Sequence, residues 1–282
     1  MAEPRLLVVD AFCDRPFTGN PAAVCILESP RSSAWMQQVA SEMNLSETAF
    51  VCPQGNEYDL RWFTPTIEVD LCGHATLATA RALWHAGARS AEKPFVFHSR
   101  SGDLTARASE ESDDLIVLDF PVTFCEPVKP PDGFLEALGL VPEAVRYVGR
   151  NKFDYFLELA DEAIVRGLTP NFVRLGALRA RGVIVTAAAG TTGPEFRPYD
   201  FVSRFFAPSA GINEDPVTGS AHCALAPYWA DRLGRSRLMG YQASRRGGYV
   251  QVERRNERVL LGGRAIVVAD GRLSPEAWAE GL

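Results

Sequence analysis

The stretch that decides the fold is Asn213-Glu214-Asp215-Pro216-Val217-Thr218-Gly219-Ser220-Ala221-His222-Cys223-Ala224-Leu225-Ala226. Its first half is polar and rich in turn-forming residues. Its second half, which begins at Gly219, consists of small and mostly apolar residues. A helix that is apolar on nearly every side is normally buried. The stretch therefore predicts a buried helix whose N-terminus opens under a tight polar loop.

The N-terminus of this predicted helix is suited to an anion. The first N–H groups of a helix have no partner inside it, and no acidic residue follows Gly219 in the first turn. We expect Ser220 to cap one of these groups. The helix dipole favours a carboxylate or phosphate at the remaining ones. Asp215, Ser220 and His222 crowd around this position.

The same pattern occurs earlier in the chain, where Gly73 precedes a second run of small residues. Each run follows an Arg, two aromatic residues, a small residue and a proline, at 61–65 and at 204–208. Two copies of such a pattern predict a pseudo-symmetric pair of domains, because a solenoid needs more repeats. If the halves face each other, both helix N-termini point into one cleft.

Composition sets the class of protein. The chain has 282 residues, enough for two domains, and its net charge of -6 argues against a general nucleic-acid surface. The N-terminus lacks a signal-like pattern, and no apolar run reaches membrane-spanning length, so we expect a cytoplasmic protein with no membrane partner. The six cysteines form no CxxC pair, and no cluster of Cys and His has the spacing of a known metal motif, so we expect reduced thiols and no metal. The chain has no dinucleotide, Walker or serine-hydrolase motif, so cofactors of those classes are not expected.

Periodicity predicts many strands and few helices. Residues 33–43 have helical spacing, and residues 163–165 read as a short strand. The proline-rich segment 121–131 is the best linker candidate. Pro227 is expected to bend or stop the second buried helix.

Four residues of the first half are candidates for a site. Glu47 begins a strand among apolar neighbours, where a desolvated carboxyl suits proton transfer and a solvated or Arg-paired carboxyl is the alternative. Cys72 precedes a helix N-terminus, which would lower its thiol pKa, although a small packing residue fits equally well. His74 is either a ligand or a structural histidine. Asn20 is a turn residue or an amide that contacts ligand.

The chain resembles the PhzF-like phenazine biosynthesis family, within the diaminopimelate epimerase-like fold. The matching stretches run in the family's order through most of the chain: Asp10-Ala11-Phe12, Phe17-Thr18-Gly19-Asn20-Pro21-Ala22-Ala23-Val24, Met43-Asn44-Leu45-Ser46-Glu47-Thr48-Ala49-Phe50-Val51, Arg61-Trp62-Phe63-Thr64-Pro65, Cys72-Gly73-His74-Ala75-Thr76 and Glu214-Asp215-Pro216-Val217-Thr218-Gly219-Ser220-Ala221-His222.

This resemblance implies an α+β fold of two pseudo-symmetric domains, each a rolled, barrel-like mixed sheet around a central buried helix. We place the domains at 1–122 with 270–282, and at 123–269. The resemblance implies a cofactor-independent isomerase, in a biosynthetic process, that acts on a small carboxylate and forms a homodimer. The catalytic residues it implies are Glu47, Asp215 and His74; the substrate-binding residues are Asn20, Cys72, Gly73, Thr218, Gly219 and Ser220.

Two further functions stay open. Racemases of this fold use two thiols, one at each helix start, whereas this chain has Cys72 at the first position and Thr218 at the second. An epimerase or dehydratase that acts on an amino or hydroxy acid through Cys72 is therefore one alternative to a single-base mechanism at Glu47. The other is a protein of the same fold that binds a small carboxylate without catalysis.

Overall fold

The structure is a computed structural model that describes residues 3–88, 93–110, 112, 114–190 and 197–278. The chain divides into two compact units. Unit 1 comprises the chain up to Phe120 together with the segment from Gly262 onward, and unit 2 comprises Pro121–Leu261. No helix among the described residues is long and apolar enough to span a bilayer.

Strands dominate both units. In chain order they are β1 (Arg5–Ala11), β2 (Asn20–Ile26), β3 (Glu47–Gln54), β4 (Glu57–Phe63), β5 (Glu68–Val69), β6 (Phe95–Ser99), β7 (Gly102–Ala108), β8 (Ile116–Pro121), β9 (Glu126–Pro127), β10 (Val145–Arg150), β11 (Asp154–Leu159), β12 (Gly182–Ala188), β13 (Phe201–Ala207), β14 (Ile212–Asp215), β15 (Arg237–Gln242), β16 (Gly248–Arg255), β17 (Arg258–Gly263) and β18 (Ala265–Arg272). The α-helices are α1 (Ser33–Met43), α2 (Gly73–His85), α3 (Phe134–Leu138), α4 (Glu162–Gly167), α5 (Phe172–Gly176), α6 (Gly219–Leu233) and α7 (Pro275–Trp278). Two 3-10 turns lie at Pro142–Ala144 and Pro208–Ala210. The predicted α+β class is confirmed.

The core of unit 1 is built around α2. This helix contacts β1, β2, β3, β7 and β18, so the mixed sheet wraps around it. Small side chains allow this close approach, and the two threonines inside the helix hydrogen-bond to backbone carbonyls one turn earlier: Thr76 Oγ1 to Cys72 at 2.6 Å and Thr79 Oγ1 to Ala75 at 2.7 Å. The helix is therefore buried without leaving its own hydroxyls unpaired.

The two units share one strand topology, which confirms the predicted repeat. In unit 1, β1–β2, β3–β4 and β6–β7 are antiparallel, whereas β2–β3 and β4–β6 are parallel. In unit 2, β10–β11, β12–β13 and β15–β16 are antiparallel, whereas β11–β12 and β13–β15 are parallel. The second parallel connection of each unit contains its buried helix, α2 or α6.

The repeated arginine has the same role in both units. Arg61 forms a bidentate pair with Glu68, with Nε–Oε1 and Nη2–Oε2 both at 2.7 Å. Arg204 pairs with Glu214 in the same way, at 2.7 and 2.9 Å. Each glutamate lies five residues before the glycine that begins the buried helix. The Arg–Glu pair therefore fixes the strand that leads into each helix N-terminus.

The predicted secondary structure needs correction at three points. Residues 163–165 belong to helix α4 and not to a strand, because the Asp161 side chain accepts a hydrogen bond from the Ile164 N–H at 2.9 Å and caps the helix. Pro227 lies inside α6 without stopping it, so the expected stop is wrong, whereas the expected bend stays a prediction. A proline frees the carbonyl four residues before it, and here the Thr123 N–H donates to the Cys223 carbonyl at 3.1 Å.

The third correction concerns unit 2, whose strands β14 and β15 were not predicted.

The boundary between the halves also differs from the prediction. We placed residues 262–269 in the second domain, whereas they lie in unit 1, where β18 pairs with β1. Residues 279–282 of the predicted first domain lie outside the described residues.

Candidate active site

Three predicted site residues of unit 1 meet at the start of α2. Glu47 is the first residue of β3, and Cys72 is the N-cap of α2, with an extended backbone and no side-chain cap hydrogen bond. The Nε2 atom of His74, in the first helical turn, lies 3.2 Å from Oε2 of Glu47. Its Nδ1 atom lies 3.5 Å from Sγ of Cys72. Helix α2 contacts both β2 and β3, and this packing brings Cys72 and His74 to Glu47.

The side chains of this cluster are largely buried, but some of their polar atoms lack hydrogen-bond partners. The His74 and Glu47 side chains are 6% and 14% exposed. Although the two atoms are at ion-pair distance, neither His74 Nε2 nor Glu47 Oε2 has an aligned hydrogen bond among the described residues. Buried polar atoms without partners are rare in folded proteins and mark strained, catalytic or ligand-binding positions. The α2 N-terminus beside them has no acidic residue in its first turn.

The surroundings of the cluster raise the pKa of both His74 and Cys72, but for different reasons. Burial lowers the pKa of His74, but the electrostatic interactions of the ring with Cys72 and Glu47 outweigh this effect, so the pKa of His74 is well above its usual value. Burial raises the pKa of Cys72, and the Glu47 charge adds to this effect. Our expectation of a lowered thiol pKa at Cys72 is therefore wrong, since desolvation outweighs the helix dipole.

Asn20 is the fourth member of the cluster. It begins β2, is fully buried, and its Nδ2 atom lies 3.2 Å from Nδ1 of His74. Ser46 Oγ lies 3.4 Å from Asn20 Oδ1. The prediction treated Asn20 as a substrate-binding residue; in this structure its amide contacts the imidazole that faces Glu47. Ser46 was not predicted as a site residue.

A single metal ion does not fit the cluster as it stands. One potential ligand atom from each of Glu47, Cys72 and His74 lies within 4.8 Å of the others. However, Cys72 approaches Nδ1 of the imidazole, whereas Glu47 approaches Nε2 on the other side of the ring. An ion about 2.1 Å from either nitrogen would lie on one side of the imidazole, away from one of the two other ligands.

The equivalent position in unit 2 is built differently. Thr218 is the N-cap of α6, and its hydroxyl donates to the Asp215 carboxylate in a short hydrogen bond. Gln242 is fully buried; its Oε1 accepts from the Thr218 N–H at 2.9 Å, and its Nε2 donates to the Asp215 carbonyl at 2.8 Å. The loop 215–218 is thereby held against β15. Gly219 begins the helix, as Gly73 does in unit 1.

Two residues of the α6 N-terminus differ from expectation. Ser220 is not the cap, because the helix begins at Gly219 and Thr218 takes the cap position. His222 is wholly buried, and its Nδ1 atom lies 2.8 Å from the Thr218 carbonyl. Burial lowers the pKa of His222 to about 4, with the Thr218 carbonyl opposing that effect. His222 is thus a neutral residue that supports the first turn.

Gln242, like Ser46, is a residue of the candidate site that sequence reasoning missed. Leu238, Gly240 and Gln242 occupy the buried positions of β15 in alternation. An alternating pattern that puts a glutamine on the buried face requires hydrogen-bond partners for its amide. This signal could have been read only after residues 237–242 had been assigned to a strand.

Comparison with known proteins identifies the family. The family described as phenazine biosynthesis-like protein matches residues 9–271. An uncharacterized isomerase of Halalkalibacterium halodurans is 48% identical over 276 residues, which cover 97% of this chain and 99% of that protein. A second uncharacterized isomerase, from Pseudomonas aeruginosa, is 47% identical over 271 residues, which cover 96% of this chain and 99% of that protein.

Solved structures agree with this result. A PhzF-family phenazine biosynthesis protein from Enterococcus faecalis superposes with a TM-score of 0.88 at 43% identity, covering 97% of this chain and 100% of that one. A hydroxyproline epimerase from Agrobacterium vitis shares the fold alone, with a TM-score of 0.62 at 11% identity and coverage of 99% and 93%. The predicted epimerase-like fold is therefore confirmed. With a family match across 9–271 and close relatives that carry isomerase names, the chain belongs to the PhzF-like phenazine biosynthesis family.

Proposed function

We propose that the protein is a cofactor-independent isomerase that moves a proton, and with it a carbon–carbon double bond, within a small unsaturated carboxylate. Glu47 is the acid/base in this proposal. The observation that carries it is the buried, incompletely paired contact between Glu47 and His74 beside the uncapped N-terminus of α2. Family membership supports isomerase chemistry in general, and the position of Glu47 beside a helix N-terminus is consistent with a base next to an anion.

The proposed reaction transfers one proton from one carbon of the substrate to another. The Glu47 carboxylate removes a proton from one carbon of the substrate, and the electron pair shifts through the neighbouring double bond toward the carboxylate. The resulting Glu47 carboxylic acid returns the proton to a second carbon. No atom or electron is gained or lost in this sequence. General acid–base catalysis of this kind contributes about 10²–10⁴-fold to a rate.

The helix N-terminus supplies the matching charge stabilisation. The N–H groups of the first turn of α2, at Gly73 and His74, have no acidic residue in that turn. Amide dipoles fixed beside a developing negative charge cost no reorganisation during the reaction. We assign these groups to the substrate carboxylate and its enolate-like intermediate. Thr218, Gly219 and Ser220 at the start of α6 have the corresponding role in unit 2.

Asp215 is assigned as a second polar group that orients or protonates the substrate. Its carboxylate accepts the Thr218 hydroxyl, and the backbone around it is held by Gln242. A carboxylate fixed in this way keeps one orientation. That the two helix N-termini serve one substrate, and that the protein forms a cytoplasmic homodimer, remain predictions.

A proton-exchange screen tests the proposal. The protein is incubated in D2O with a panel of small cyclic and acyclic unsaturated carboxylates, and ¹H NMR follows the loss of carbon-bound protons. We expect deuterium at two positions of an active compound, together with migration of the double bond. Exchange at one stereocentre without migration would instead indicate an epimerase. Tight binding of carboxylates with no exchange in any compound would indicate a binding protein.

A further inference from the structure

Phe17, in the loop 12–19 between β1 and β2, combines a strained backbone with an exposed ring. Its φ of 69° lies in the left-handed region, where a bulky side chain is a true outlier. Phe12 of the same loop has a φ of 57°, but its ring is fully buried and packs so close to Gly263 that no larger residue fits there. The Phe17 ring is 75% exposed, so packing does not compensate its strain. Strain of this kind clusters at active sites and ligand clamps.

Contacts at both ends of the loop 12–19 hold Phe17 in this conformation. The Phe17 N–H donates to Oδ2 of Asp10 at 2.7 Å, and Asp10 is buried. At the other end, a side chain on Gly19 would collide with the Ala11 carbonyl oxygen, so the close approach of the backbone there requires glycine. The fold therefore fixes the strained conformation of Phe17 while it leaves the ring in solvent.

The same loop ends at the candidate active site. Its next residue is Asn20, whose Nδ2 atom lies 3.2 Å from Nδ1 of His74. Three residues of chain span at most about 11 Å, so the Cα atom of Phe17 lies within that distance of the Cα atom of Asn20. On its other side the His74 ring has Nε2, a buried atom without an aligned hydrogen bond among the described residues. An exposed apolar ring thus lies near a polar site whose contacts are incomplete.

The other exposed apolar side chains of unit 1 lie in the second segment that enters this site. Among the described residues of the unit, large hydrophobic side chains are exposed at Phe17, Ile67 and Leu71 only. Both Ile67 and Leu71 belong to the connection between β4 and α2, and Leu71 immediately precedes Cys72, the N-cap of α2. Apolar side chains around a few polar groups are the usual composition of a small-molecule site.

We propose that Phe17 binds the hydrocarbon part of the substrate, so that its ring covers a ligand whose carboxylate is held at the N-terminus of α2. The position of the carboxylate in this inference rests on the proposed function. The inference narrows the substrate class to carboxylates with a hydrocarbon portion large enough to cover an aromatic ring, and it disfavours short acids. Because the strained loop holds the ring in place before the ligand arrives, little order is lost on binding.

The test measures binding without turnover. Acetate, crotonate and cyclohex-1-ene-1-carboxylate have the same charged group and an increasing hydrocarbon portion, and NMR titration of the ¹⁵N-labelled protein gives their dissociation constants. We expect the affinity of the wild type to rise along this series. Phe17→Gly should weaken binding of the cyclohexene acid by about 10-fold and change that of acetate by less than about two-fold.

Two further measurements separate a binding role from a structural one. Glycine adopts a positive φ without strain, so the melting temperature of Phe17→Gly should not fall below that of the wild type. Val173→Ser removes another exposed apolar side chain, on α5, and should leave all three affinities unchanged.

Three results would overturn the proposal. The first is a wild-type affinity that does not rise with hydrocarbon size, which includes no binding of any of the three acids. The second is a Phe17→Gly variant with wild-type affinities; a changed oligomeric state in light scattering would then assign the ring to an interface between copies. The third is a clear fall in the melting temperature of Phe17→Gly, which would make the ring a support of the fold. The expected affinities without exchange of any carbon-bound proton would contradict the isomerase proposal alone.

Discussion

Oε2 of Glu47 and Nε2 of His74 lie 3.2 Å apart, and neither atom has an aligned hydrogen bond among the described residues. A structural ion pair at such a buried position would normally be completed by further hydrogen bonds, because desolvation of both charges is expensive. This pair is instead left open beside a helix N-terminus without a side-chain cap. The arrangement favours a site in which a ligand completes the contacts.

Glu47→Gln should abolish proton transfer while it preserves binding. The amide has nearly the shape of the carboxyl but cannot take up or return a proton. We expect the exchange rate with an active carboxylate to fall by about 10²–10⁴-fold. Binding of the same compound, measured by isothermal titration calorimetry, should change by only a few-fold.

Glu257→Gln is the matched control for this substitution. Glu257 is exposed on the turn after β16, so the same change of charge there should leave exchange unaltered. A Glu47→Gln variant that exchanges substrate protons at the wild-type rate would contradict the role assigned to this residue.

Cys72→Ser separates the single-base mechanism from a thiol-based one. The Cys72 thiol has a raised pKa, chiefly through burial, and unit 2 has Thr218 at the corresponding helix start. We therefore expect Cys72→Ser to keep turnover within a few-fold of the wild type. The measurement is the initial rate of exchange in D2O at several pH values. A loss as large as that of Glu47→Gln would instead assign the chemistry to the thiol and favour an epimerase or dehydratase.

Arg204→Met should destabilise the protein. Arg204 and Glu214 side chains are 11% and 19% exposed, and Arg204 Nη1 also donates to the Leu168 carbonyl at 2.8 Å. Removal of the arginine leaves a largely buried carboxylate and a carbonyl without their partner, at a cost of about 2–4 kcal/mol. Urea unfolding monitored by circular dichroism measures this change.

Two other arginines provide the comparison. Arg255→Met removes an exposed pair with Glu253 and should cost about 0–1 kcal/mol. Arg61→Met should cost less than Arg204→Met, because Glu68 keeps a second partner, with Arg100 Nη2 at 2.7 Å from Glu68 Oε2. Equal losses for Arg204→Met and Arg255→Met would show that the repeated pair does not stabilise the fold.

The repeat was readable from the sequence because it rests on local patterns. Glycine followed by small residues predicted α2 and α6, and both are buried helices in equivalent connections. The partners of the repeated arginines were not readable, since Glu68 and Glu214 follow at unequal distances of seven and ten residues. Only the sheet brings each pair together.

The residues of the candidate site could be predicted from the sequence, but the contacts between them could not. Glu47, Cys72 and His74 were expected from the resemblance, whereas their proximity follows from the packing of α2 against β2 and β3. The direction of the Cys72 pKa shift was predicted wrongly, because the sequence does not show how deeply a side chain is buried. Helix α4 was missed because apolar Ala163, Ile164 and Val165 outweighed the capping signal at Asp161.

His222→Gln should alter the acid sensitivity of the protein. The pKa of buried His222 is lowered from 6.5 to about 4, so between these values the unfolded chain binds a proton that the folded protein does not. The stability from this residue is therefore complete above about pH 6.5 and falls as the pH drops toward 4, by roughly 3 kcal/mol. Urea unfolding at pH 7.5 and 5 should show a smaller loss for the variant than for the wild type. Equal losses in both proteins would show that His222 is not held neutral by the fold.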